Sequence, residues 1–237
     1  MKMINENDNY KYNYSKIKRY DIINHIIEKK NYNSYLEIGT QHGVNFKKIN
    51  IKIKECCDPI KLYKNLKYHM TSDEAFIKIK ENNKKYDIIF IDGLHWSEQV
   101  YKDICNSLDC LNHNGCIVLH DCNPITHIQA RYPYDDQIKE WNGDCYKAFL
   151  KFRFKNLNIY TSVIDTDWGV GIIMPNLKNM ENNNIILQDN LVNTEKDDVV
   201  GGVLNIDNKY INWDYFNENR TNLLNLISTD IFFNFFC

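Results

Sequence analysis

Tyr86-Asp87-Ile88-Ile89-Phe90-Ile91-Asp92-Gly93-Leu94-His95 is the stretch from which the fold can be read. Tyr86 to Ile91 is almost continuously apolar, the pattern of a strand covered on both faces of a parallel sheet. Asp92-Gly93 ends it. Ser97 to Leu111 follows, with Val100, Ile104, Leu108 and Leu111 on one side at helical spacing. Downstream, Asn114-Gly115 predicts a turn into a second buried strand, Cys116-Ile117-Val118-Leu119, which stops at His120-Asp121. Upstream, Ser34 to Gly39 is a compact strand closed by a glycine, and Ile51 to Cys57 is another, ending in Asp58-Pro59. Lys67 to Met70 reads as a weak third strand, before a Ser72-Asp73-Glu74 cap and a helix over Ala75 to Asn82. Tyr14 to Lys30, Val44 to Ile49 and Asp144 to Phe152 read as helices, and Ile159 to Ile164 with Gly169 to Met174 as two adjacent closing strands. Strands alternating with helices at this spacing predict a doubly wound α/β domain with a mainly parallel sheet.

The length of 237 residues suits one domain with modest extensions. The expected layout is an N-terminal helical segment over 1–33, the α/β domain over 34–175, and a C-terminal extension over 176–237. In that extension Asn176 to Asp198 is polar, Gly201-Gly202 turns, and Trp213 to Ser228 is helical. The apolar Ile231 to Phe236 is expected to pack on the domain or on a partner subunit, which allows a homo-oligomer. With 29 Lys+Arg against 31 Asp+Glu, the net charge of -2 argues against a role in neutralising nucleic-acid phosphates. No apolar run approaches a membrane span, and Met1 to Asn9 is polar. The expectation is a cytoplasmic chain, in the host cytoplasm if the source is a virus. None of the eight cysteines forms a C-x-x-C pair, so they read as reduced, buried small hydrophobes.

Ligands of open α/β sheets bind beyond the carboxyl ends of the strands. Every predicted crest here carries an acid: Glu37, Asp58, Asp73, Asp92 and Asp121. The first loop, Glu37-Ile38-Gly39-Thr40-Gln41-His42-Gly43, lacks the G-x-G-x-x-G spacing that seats a pyrophosphate. Gly39 and Gly43 still permit close backbone approach, whereas Glu37 opposes a phosphate and welcomes a cation. S-adenosylmethionine, with a sulfonium, an ammonium and no phosphate, matches that charge pattern.

Here the sequence resembles the class I S-adenosylmethionine-dependent methyltransferases, over Ser34 to Pro175, and most of all the branch of macrocin-type sugar O-methyltransferases. The residues that carry this are Tyr35 to Gly43, Phe90 to His95, and Val118-Leu119-His120-Asp121-Cys122-Asn123-Pro124. Trp141-Asn142-Gly143-Asp144 and Asp165 to Gly171 look like further marks of the same relatives. The resemblance implies a Rossmann-like, mainly parallel seven-stranded sheet with helices on both faces. It implies that Glu37, Gly39, Thr40 and Gly43 line the methionine side of the cofactor, although Thr40, Gln41 and His42 are bulkier than the usual glycine-rich loop. It places Asp58 at the ribose hydroxyls, Asp73 near the adenine amino group, and Asp92 at the cofactor amine or a metal. It also implies a magnesium site of Asp92 and Asp121 with Asn123 as third ligand, and a small-molecule acceptor, a sugar or sugar nucleotide of glycan synthesis.

A hydroxyl acceptor is a poor nucleophile and needs a general base or a Lewis acid. His95, His120 and Asp121 are the candidates, with His127 behind them. N-methylation of an amino sugar or other amine, or a non-catalytic cofactor-binding subunit, stand as alternatives. An NAD-dependent oxidoreductase is disfavoured by Glu37 and the missing phosphate loop.

Overall fold

A computed structural model describes residues 16–136, 140–178, 204–206 and 209–235. Most of the polar stretch from Asn176 to Asp198, the Gly201-Gly202 turn, the start of the predicted Tyr14 helix and Phe236 lie outside these residues. In chain order the elements are α1 (Arg19–Lys30), β1 (Ser34–Ile38), α2 (Val44–Lys48), β2 (Ile53–Cys57), α3 (Ser72–Glu81), β3 (Tyr86–Ile91), α4 (Ser97–Asp109) and β4 (Leu111–Leu119). They continue with α5 (Cys145–Lys155), β5 (Ile159–Ile164), β6 (Val170–Lys178), β7 (Leu204–Ile206), β8 (Lys209–Ile211), α6 (Trp213–Leu224), β9 (Leu226–Ile227) and α7 (Thr229–Phe235).

Seven strands form one sheet in the order β2-β1-β3-β4-β6-β5-β9, while β7 and β8 pair separately. The pairs β1–β2, β1–β3, β3–β4 and β5–β9 are parallel. The hairpin β5–β6 and its junction with β4 are antiparallel. From β1 the chain crosses to β2 on one side, then returns to β3 on the other, so the topological switch point lies between the crests of β1 and β3.

The apolar run in β3 is continuous because both faces are covered. Ile89 and Ile91 join Leu36, Ile38, Ile117 and Leu119 on one face, beneath Phe76 and Ile79 of α3, Ile104 of α4, Phe149 of α5 and Phe216 of α6. Ile88 and Phe90 join Tyr35 and Val118 on the other, beneath Ile22, Ile23, Ile26 and Ile27 of α1, Phe46 of α2 and Phe232 of α7.

Four local expectations need correction. Lys67 to Met70 makes no strand; its pairing reduces to a single parallel bridge between Cys57 and Tyr68, and the seventh strand is the two-residue β9. Asn114-Gly115 lies within β4 rather than ahead of it, at an irregularity where the pairing with β3 passes from Tyr86–Leu111 to Ile88–Cys116. Thr71, not Ser72, caps α3: its hydroxyl accepts from the Glu74 amide while Glu74 reaches back to the Thr71 amide. The helix expected to reach Ser228 stops at Leu224, where Asn225 takes a left-handed conformation (φ 49°) and releases the chain into β9. At the C-terminus Phe232 is buried, its ring edge-on to His25 of α1 at 5.6 Å, while Ile231 and Phe235 are exposed.

No helix among the described residues is long and apolar enough to cross a membrane. The residues after Leu204 contribute Trp213, Phe216, Leu223 and Leu224 to the core, so a cavity there should be felt globally. Phe216→Ala is expected to cost about 3–5 kcal/mol in chemical denaturation; a loss below about 1 kcal/mol would show that α6 is only loosely attached.

Candidate active site

A cleft of about 900 Å³ opens over the switch point. It is lined by Glu37, Gly39 and Thr40 from the first loop, Asp58, Asp73, Asp92 and His95, and His120 and Asp121 after β4. Nine of the eleven residues expected from the sequence therefore meet in one place. Gly43 and Asn123 do not line it. Gly43 stands behind the loop as the residue before α2, where a Cβ would fall 2.8 Å from the Tyr63 ring. Asn123 is fully buried and otherwise engaged: its side-chain oxygen accepts from Arg220 Nη1 at 2.9 Å and its amide donates to Asp165 at 3.3 Å. The expected third metal ligand is thus a brace between the β4 crest and α6. His127 stacks on Trp213 at 5.4 Å, so it is no candidate base for this cleft.

The geometry of the floor begins with Gly39. Its φ is +85°, and a Cβ there would fall 2.0 Å from the carbonyl oxygen of Asp92. Only glycine lets the β1 and β3 crests come this close. Just beneath, Glu37 is almost fully buried and accepts hydrogen bonds from the Tyr35 hydroxyl and, at 2.7 Å, the Asn45 amide. Burial raises its pKa to about 7 in spite of these two donors. Asp58 accepts the Gln41 and Ile60 backbone amides, both at 2.8 Å, which fixes its carboxylate at the β2 crest. Asp73 is held by Lys102 and by Gln99 at 3.1 Å on the rim.

Two carboxylates and two imidazoles meet at the β3 and β4 crests. His120 Nδ1 lies 2.8 Å from Asp121 Oδ2 and 3.4 Å from Asp92 Oδ1. His95 Nε2 lies 3.4 Å from the same two oxygens. Burial works against charge on His120, but Asp121 and Asp92 outweigh it and hold the imidazole well above its usual pKa. The same contest raises His95. Burial likewise opposes ionisation of Asp92, yet His120, His95 and Arg19 hold it well below the carboxylate range. Asp121 has a left-handed backbone (φ 59°) and its Oδ1 accepts from Asn142 at 2.5 Å. Such a conformation, tolerated by aspartate better than by most residues, costs about 1–3 kcal/mol and is held by its surroundings.

Arg19 and Asp103 were not assigned from the sequence, and Trp141 and Asp167 stood there only within stretches marked as those of the relatives. Arg19 at the start of α1 donates to Asp167 at 3.0 Å and faces Asp92 at 3.5 Å. Asp167 in turn lies 3.6 Å from His120 Nε2. Trp141 stacks on the His95 ring at 4.8 Å. Asp103 is buried on the inner face of α4, and burial pushes its carboxyl up to about 6. An acid on the apolar stripe beside Val100 and Ile104 was a legible signal for Asp103; nothing local announces Arg19, 148 residues from its partner Asp167.

Asp92, His95 and Asp121 offer ligand atoms that all lie within 4.8 Å of one another, enough to hold a metal ion. A carboxylate–imidazole set is less purely hard than the all-oxygen shell magnesium favours and suits manganese, iron or zinc as well.

With this geometry in place, comparison finds methyltransferases to which the chain is similar. The family described as a methyltransferase domain matches residues 60–122, the stretch that carries Asp92, His95, His120 and Asp121. An O-methyltransferase from Bacillus cereus, solved in complex with SAH, superposes with a TM-score of 0.50 at 11% identity, covering 70% of this chain and 82% of its own. A putative caffeoyl-CoA O-methyltransferase from Staphylococcus aureus gives a TM-score of 0.48 at 18% identity, covering 68% and 86%. At such identities the likeness is one of fold. No curated protein matches the sequence. The α/β architecture is shared with the Bacillus cereus O-methyltransferase, and residues 60–122 match the methyltransferase-domain family.

Glu37 gives the cleft a pH signature. Its carboxyl ionises near 4.5 when unfolded and near 7 when folded, so between these values the folded state holds the extra proton. Stability of the apo protein is therefore expected to fall as pH rises from about 4.5 to about 7, and then to level off. Glu37→Gln should flatten that part of the profile in thermal or urea unfolding; an unchanged slope would mean that Glu37 ionises normally.

Proposed function

We propose that this chain transfers a methyl group from S-adenosylmethionine to a hydroxyl oxygen of a small polar acceptor, as the macrocin-type sugar O-methyltransferases it resembles do. One observation carries the reading: Glu37, Asp58, Asp92 and Asp121 converge on a single cleft at the switch point of the sheet. That lining attracts a sulfonium and an ammonium and repels a pyrophosphate. The buried Glu37 fits this reading, because a nearby ligand cation would compensate the desolvation that now raises its pKa.

When bound, the cofactor supplies an electrophilic methyl group on a positively charged sulfur. Glu37, with the backbone around Gly39 and Thr40, takes the methionine end. Asp58 accepts hydrogen bonds from the ribose hydroxyls, and Asp73 stands at the adenine end. The acceptor lies against Trp141 and His95, whose stacked rings give a sugar ring or another flat molecule a face to rest on. His95 Nε2 takes the acceptor's hydroxyl proton as the oxygen's electron pair forms the new bond to carbon and the carbon–sulfur pair returns to sulfur. Asp121 orients His95 and stabilises the charge it gains, and His120 holds Asp121 in place. A divalent cation, if bound, would sit on Asp92 and Asp121 and polarise the same hydroxyl; His95 then either ligates it or takes the proton, not both.

The acidity of the cleft also favours a second reading, an amine acceptor. Among the described lining residues Arg19 is the one lysine or arginine, and it is paired with Asp92 and Asp167. A protonated amine would be drawn in and would need less help from a base.

Calorimetric titration with S-adenosylhomocysteine tests the cofactor assignment. Saturable one-to-one binding is expected, weakened at least about tenfold by Asp58→Ala through loss of two ribose hydrogen bonds. No heat at several temperatures would end the methyltransferase reading of the cleft. In an acceptor screen read by product mass, His95→Ala should lower turnover about 100-fold or more while leaving S-adenosylhomocysteine affinity intact. Equal turnover would remove His95 from the chemistry.

A further inference from the structure

Asp92, Asp121 and Asp167 at the cleft floor receive a fixed positive charge that no strand crest supplies. Arg19 opens α1, outside the 60–122 stretch that matches the methyltransferase family. Its backbone amide and its Nη1 both donate to Asp167 Oδ2, at 3.1 and 3.0 Å. Its Nε is buried, makes no hydrogen bond, and faces Asp92 Oδ2 at 3.5 Å. The segment just before it is pinned to the same loop. Lys18 Nζ donates to Asp167 Oδ1 at 3.0 Å, and the Thr166 hydroxyl donates to the Ile17 carbonyl at 2.6 Å.

Asp92 is thereby shared. Oδ2 faces the guanidinium, whereas Oδ1 faces His95 Nε2 and His120 Nδ1, the side on which the cluster offers ligands to a metal. A guanidinium stays protonated at every physiological pH and cannot yield to a competing ion by losing a proton. A divalent cation at Oδ1 would lie across one carboxylate from that permanent charge, in a floor partly shielded from water, where like charges repel strongly.

We propose that Arg19 is an internal counter-ion that sets the selectivity of this cluster against divalent cations: it supplies part of the charge such an ion would bring, and so weakens metal binding at Asp92, His95 and Asp121. The N-terminal helix then tunes a site built by the β3 and β4 crests, and part of the cluster's negative charge is offset before any ligand arrives. This inference rests on the cation-binding geometry of the cluster and not on methyl transfer.

The test is a titration of the full chain with Mn2+ alone, following the free ion by electron paramagnetic resonance. Arg19→Gln and Arg19→Ala should each bind Mn2+ at least about tenfold more tightly than the wild type, Arg19→Lys should stay near wild-type affinity, and adding Asp92→Asn to Arg19→Gln should abolish the gain. Unchanged or weaker Mn2+ binding in both neutral variants overturns the proposal, as does a gain that survives Asp92→Asn. Circular dichroism melting shows whether each variant is folded. S-adenosylhomocysteine titrated into the wild-type chain separates the two readings: absence of cofactor binding there, with the Mn2+ gain intact in the variants, counts against the methyltransferase assignment alone.

Discussion

The close approach of the β1 and β3 crests, made by Gly39 against the Asp92 carbonyl, is the constraint on which the site depends. Parallel pairing of the two strands brings their carboxyl ends together, and the missing Cβ lets the loops touch. The consequence is a concentration of carboxylates that water would otherwise keep apart. Glu37, desolvated by burial, holds its proton to about pH 7, whereas Asp92 stays ionised by drawing on His120, His95 and Arg19. Two acids a few residues from the same contact therefore adopt opposite solutions, set by the partners each can reach. Glu37 has neutral donors only, whereas Asp92 faces cations.

The scaffold around this floor comes from remote parts of the chain. Gly143, in a left-handed conformation, lets the loop before α5 lie against His95; a Cβ there would meet the His95 carbonyl at 2.1 Å. Asp144, the residue before α5, accepts from the Ser97 amide at 2.6 Å and so caps the neighbouring α4. Arg220 reaches from α6 to Asn123 and the Pro124 carbonyl. The crest loops are thus tied to the N-terminal helix on one side and to the C-terminal helices on the other. Rigid support of this kind is what a site needs to keep reacting atoms aligned.

Much of this was legible in the sequence, for identifiable reasons. Tyr86 to Ile91 announced a buried parallel strand because its covered faces leave no alternation, and the acid ending each strand marked the crest. The weak strand at Lys67 to Met70 failed because short, charged segments have little local signal; the tertiary context left it a single bridge. Asn114-Gly115 looked like a turn ahead of the strand; it falls instead within β4, at the irregularity between the Leu111 and Cys116 pairs with β3. Asn123 was misplaced because adjacency to Asp121 says nothing about which way its side chain leaves the left-handed turn at Asp121. Arg19 and Asp167 could not be paired at all, since a contact across 148 residues exists only in the folded chain.

The central claim is that the carboxylates at the switch point recognise positive charge at the reacting centre. Comparing the affinity of S-adenosylhomocysteine with that of sinefungin, in which a cationic amine stands near the place of the sulfonium methyl, measures this directly. The account predicts tighter binding of the cationic analogue, with an advantage that shrinks as salt is raised. Equal affinity, or preference for the neutral thioether at low salt, would contradict it.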